Sequence, residues 1–121
     1  MQRSGMAPAG GTILPFPGRS VHQVGFTREE LQRILDLYGR MVAAGHWRDY
    51  AIRMDRDVAI FACFRRHAEN PEIRIEKRPA LRQRQGMYAV ITEQGQVLKR
   101  GHELRPVLAP LERRLIKLVK D

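Results

Sequence analysis

The stretch Val58-Ala59-Ile60-Phe61-Ala62-Cys63-Phe64-Arg65 decides the fold. Successive side chains of a strand point to opposite sides, so Val58, Ile60, Ala62 and Phe64 share one side and Ala59, Phe61 and Cys63 the other. Both sets are apolar, which predicts a central strand covered on both faces. Just upstream, Tyr50, Ile52 and Met54 alternate with Ala51 and Arg53, and Asp55, Arg56 and Asp57 supply turn chemistry. The two runs therefore form a hairpin. Downstream, Asn70 and Pro71 break the chain, and Ile73 and Ile75 alternate with Glu72, Arg74 and Glu76 in a third strand, apolar on one side, that ends at Pro79. Residues 80–86 carry Arg82, Gln83, Arg84 and Gln85 around a single Leu81 and are expected to connect. Residues 87–92 and 97–99 flank Glu93, Gln94, Gly95 and Gln96, a link of hairpin length.

Helices bracket these strands. Thr27 and Glu30 make an S/T-x-x-E capping box, with Phe26 and Leu31 placed as its hydrophobic staple. Leu31, Ile34, Leu35, Tyr38, Met41 and Val42 then recur along one helical face, and Gly45 stands where a left-handed cap belongs. Gly39 within this helix costs about 1 kcal/mol against alanine, so another backbone is expected to approach it closely. Leu104, Val107, Leu108, Leu111, Leu115 and Leu118 mark a second amphipathic helix, in which Pro110 removes a donor and is expected to kink or restart the chain. The expectation is an α+β fold: an N-terminal helix, an antiparallel sheet of about five strands in two hairpins plus one strand, and a C-terminal helix kinked near Pro110.

With 121 residues, the chain is of single-domain size. Residues 1–25 contain five glycines and three prolines and too little apolar surface to offset ordering, so they are expected to be a disordered tail ahead of one domain over 26–121. That domain buries roughly 65% of its unfolded surface without needing a metal or disulfide. Cys63 is the only cysteine, which excludes an intrachain disulfide and suits a reducing compartment. No apolar run reaches signal-peptide or membrane-spanning length, and a cytoplasmic protein without membrane attachment is expected.

The segments LYGRMVAAGHWRDYAI (37–52), RIEKRPALRQRQGMYAVI (74–91) and VLKRGHEL (97–104) together resemble an uncharacterised family of short alphaproteobacterial proteins, domain of unknown function 2794. The resemblance runs from residue 26 to about 118. It implies one intact domain with a variable tail, and it carries no activity, ligand or catalytic residue.

Catalytic parts are missing from the sequence. His22, His46, His67 and His102 have no metal-ligand spacing, and no G-x-S-x-G, phosphate-binding glycine loop or H-E-x-x-H occurs. Asp55 and Asp57 are accounted for by the turn. Cys63, among Phe61, Ala62 and Phe64, is expected to be an inert core thiol, and Trp47 a core plug. No enzyme activity, metal or cofactor is expected.

Charge is the remaining signal. The net +9 is concentrated in residues 70–121, with 12 basic and 6 acidic side chains. A localised cationic field suits an anionic partner, DNA or RNA above all. Candidate residues are Arg74, Lys77, Arg78, Arg82 and Arg84 before the second hairpin, and Lys99, Arg100 and His102 at the entrance to the last helix, where backbone donors add to the field. The competing class is a protein-interaction module, a homo-oligomer or an adaptor, because two helices need not cover both faces of the sheet. Phe61 and Tyr88 are its candidate interface aromatics, and Leu14-Pro15-Phe16-Pro17 a candidate docking peptide.

Overall fold

A computed structural model of the chain describes residues 23–66 and 70–120. Thr27 starts α1 (Arg28–Ala43): its hydroxyl accepts from Glu30 N at 3.1 Å, and Glu30 Oε1 accepts from Thr27 N at 2.7 Å. Phe26 and Leu31 pack against the core on either side of this cap. The helix closes on Gly45, at φ +80°, with Gly45 N donating to Val42 O and His46 N to Met41 O. This is the paired C-terminal motif that glycine permits.

Five strands follow in chain order and pair antiparallel with their sequence neighbours: β1 (Asp49–Met54), β2 (Ala59–Phe64), β3 (Ile73–Lys77), β4 (Tyr88–Thr92) and β5 (Val97–Gly101). A 3-10 turn, Pro79–Leu81, interrupts the β3–β4 connection. The chain ends in α2 (Leu104–Lys120), which runs through Pro110 without interruption.

Register assigns side chains to faces. Ile52, Phe61, Ile75 and Val90 stand side by side across four strands. Together with Cys63, Ile73 and Tyr88, this face meets Ile34, Leu37 and Met41 of α1 and Leu104, Val107, Leu108, Leu111 and Leu115 of α2 in one core. Trp47 fills the end of that core, as expected, and its indole N–H donates to Glu72 at 2.8 Å. Cys63 is also fully buried, which pushes its thiol pKa far up and suppresses the thiolate.

Both helices pack on one face, so the cover expected over the second face of β2 comes from neither of them: Ile60, Ala62 and Phe64 lie outside the core cluster. One expectation fails here. Gly39 is exposed with nothing within 4 Å of an added Cβ, so no backbone approaches it; α1 crosses α2 elsewhere. The tail expectation for residues 1–22 and the tail motif fall outside the described residues, while Val24 N already donates to Asp55 O at 2.8 Å.

Candidate nucleic-acid interface

The loop between β3 and β4 is ordered by its own backbone. Arg78 N donates to Met87 O at 2.7 Å, Leu81 N to Arg78 O, Arg82 N to Pro79 O, Arg84 N to Leu81 O, and Gly86 N to Leu81 O. Consecutive turns with no apolar anchor beyond Leu81 leave Arg82 and Arg84 exposed. Gly86, at φ +110°, then brings the loop against the end of β5: a Cβ at this position would stand 2.4 Å from the Gly101 carbonyl carbon. No other residue fits there.

That contact joins the two basic groups of the sequence. Arg100 Nη1 donates to Gly86 O at 3.4 Å, and His102 Nδ1 lies 3.0 Å from Arg82 O. A carbonyl only accepts, so Nδ1 holds the proton and the imidazole braces the loop. Arg82, Arg84, Arg100 and His102 thus share one end of the sheet, with Lys99 exposed one residue away. Among the described residues, Arg82, Arg84 and Lys99 form no ion pair with a carboxylate. Sequence reading passed over Arg105, which is exposed in the first turn of α2, a turn without an acidic residue.

Three expected members have other work. Lys77 is buried: its Nζ donates to Glu30 Oε1 and to Gly25 O, both at 2.8 Å. It is therefore a fold residue and not a surface ligand, because β3 turns it toward the helix-covered side. Arg74 and Arg78 reach Glu76 through their Nε atoms, at 3.4 Å and 3.2 Å, on the opposite side of the same strand. Arg78 still borders the loop, whereas Arg74 stands four residues back along β3.

Phe61 and Tyr88 do not form a surface. They are 0% and 7% exposed, enclosed by the helices, and the Tyr88 hydroxyl donates to Glu30 Oε2. The expected interface at these two aromatics is thereby corrected; the alternation of β2 could not reveal which of its faces the helices take.

The Glu30, Lys77 and Tyr88 cluster is self-contained. Burial raises the Glu30 pKa, but the hydrogen bonds from Lys77, Tyr88 and Thr27 outweigh it and hold the carboxyl below its ordinary value. Burial and then Glu30 push Tyr88 far up, so it remains a donor. A second cluster joins His46, Trp47 and Arg114 to Glu72. Burial lowers the His46 pKa, opposed by Glu72. Every side chain in both clusters has a neighbour at hydrogen-bond distance. Among the described residues, no group of three or more potential metal ligands gathers, and no helix is long and apolar enough to cross a membrane.

A family model described as Protein of unknown function (DUF2794) matches residues 24–108. That span contains α1, all five strands, the arginine loop and the first turn of α2. No curated protein and no solved structure matches the chain.

Proposed function

This chain belongs to the family described as Protein of unknown function (DUF2794), and from that premise we propose that it is a small non-catalytic binding protein that holds nucleic acid at the junction of the arginine loop with the β5–α2 connection. One observation carries the reading: Arg82, Arg84 and Lys99 are exposed and unpaired on a backbone locked by the Gly86–Gly101 contact. Unpaired guanidinium and ammonium groups on a rigid platform attract phosphate at little ordering cost. With no base-reading aromatic in the cluster, binding is dominated by phosphate contacts and has little sequence preference.

Fluorescence anisotropy with labelled single-stranded and duplex oligonucleotides tests it. Wild-type affinity should fall steeply as salt rises, and Arg82→Glu with Arg84→Glu should weaken binding and flatten the salt slope by about 2. Absence of binding at low salt removes the proposal.

A second reading, an oligomeric or adaptor module without a nucleic-acid role, is favoured by one patch. Ile116 and Val119 are 58% and 62% exposed, beside Leu115 and the end of α1. Light scattering decides it: a dimer that Val119→Glu dissociates without unfolding supports this reading, and a strictly monomeric mass removes its self-association form.

A further inference from the structure

Between α1 and α2 lies a groove of about 570 Å³, within the span of small-molecule sites. Arg105, Ala109 and Arg113 line it from α2 at four-residue steps, so they share one helical face over about 12 Å. The single methyl of Ala109 leaves space between the two arginines. Arg33 lines the same groove from α1. Two carboxylates are also present, and one guanidinium takes both. Arg40 Nε donates to Asp36 Oδ2 at 3.2 Å, and Arg40 Nη2 donates to the Glu112 carboxylate at 3.2 Å and 3.3 Å. Among the described residues, Arg33, Arg105 and Arg113 form no ion pair, so their side-chain N–H groups remain for a ligand. Four arginines against two carboxylates leave the groove a net +2. The first turn of α2 holds no acidic residue, and the positive end of the helix adds to the field around Arg105.

We propose that this groove is a site for a compact small molecule carrying a diphosphate group. Planar guanidiniums give paired N–H contacts to phosphate oxygens, and three of them around one cavity can hold two linked phosphates at once. The net +2 is matched by a ligand with at least two negative charges. A long strand is suited less well: its phosphates, followed along the groove, would meet Asp36 and Glu112 where Arg40 joins the helices. The inference does not rest on nucleic-acid binding at the loop junction.

The probe is inorganic pyrophosphate, titrated into the full chain at about 150 mM salt, where exposed isolated charges are largely screened. Calorimetry should show saturable one-to-one binding, and amide shifts should centre on Arg33, Ala109 and Arg113. Arg105→Gln with Arg113→Gln should weaken binding by at least about tenfold. Both side chains are exposed, and an unchanged amide spectrum over the five strands verifies that this variant is folded. Arg82→Glu with Arg84→Glu should leave pyrophosphate affinity unchanged. No binding, shifts centred on Arg82 and Arg84, or an affinity that survives the groove substitutions overturns the proposal. Inorganic phosphate bound as tightly as pyrophosphate also overturns it, because a single phosphate then suffices.

Discussion

Each face of the sheet buries one carboxylate among cations, and the two differ in what remains for a partner. On the helix-covered face, Glu30 takes Lys77, Tyr88 and the Thr27 amide, and Lys77 gives a second N–H to Gly25 O. On the other face, Glu76 takes one nitrogen from each of Arg74 and Arg78, leaving their remaining N–H groups and a net positive charge. The first arrangement ties the entry to α1 onto β3 and β4; the second holds guanidinium groups in place without consuming them. Position relative to the helices, and not residue type, decides which cations belong to the fold.

The comparison breaks first through packing. Phe61 is fully enclosed, so Phe61→Ala should cost about 3–5 kcal/mol. Phe64→Ala, three residues along β2 on the opposite face and half-buried, should cost less; equal urea midpoint shifts would mean that the faces are equally packed. The carboxylates give the next contrast. Glu30→Ala leaves Lys77 buried without its ion pair and should cost about 3 kcal/mol. Glu76→Ala leaves two partly exposed arginines and should cost about 1 kcal/mol. A larger loss at Glu76 would reverse the assignment.

The pH limits of stability sharpen the same contrast, since they arise on the closed face. Glu30 is depressed in the fold, so its contribution is present above its ordinary value of 4.5 and is lost as pH falls through its lowered folded value. Cys63 and Tyr88 are raised, so theirs is present below their ordinary values of 9.0 and 10.0 and is lost as pH rises beyond them. His46 is lowered by burial, so it withdraws stability as pH falls below its ordinary value of 6.5. Thermal midpoints should form a plateau between that value and 9.0, and Tyr88→Phe should weaken the alkaline decline. A smaller effect belongs to the entry of α1: Thr27→Ala should cost about 1 kcal/mol by denaturation and leave oligonucleotide binding unchanged.

Local chemistry was legible in the sequence where it acts over a few residues. The Thr27 and Glu30 box, the Gly45 cap, the alternation of β1 and β2 and the burial of Cys63 and Trp47 all follow from short-range patterns. What stayed hidden depends on long-range placement. Periodicity shows that β2 is apolar on both sides but not which side receives the helices, so Phe61 and Tyr88 were misplaced at a surface. Lys77 reads as one more cation in a basic run until β3 pairs with β4 and turns it under α1. The Gly86–Gly101 contact, which unites the two basic groups, joins positions 15 residues apart in sequence and depends on the register of β4 with β5. Gly39, which suggested a close approach, lies open because helix crossing is set by side-chain ridges elsewhere.

The central claim is that exposed cations at the loop junction, and not those near the closed face, meet an anionic partner. The most direct measurement is an amide chemical-shift titration of the full chain with a short single-stranded oligonucleotide at low salt. The account predicts shifts concentrated at Arg78, Arg82, Arg84, Gly86, Lys99, Arg100 and His102, with Lys77 and the C-terminal turns of α2 unmoved. Shifts centred on Lys117 and Lys120, or no shifts at saturating oligonucleotide, would contradict it.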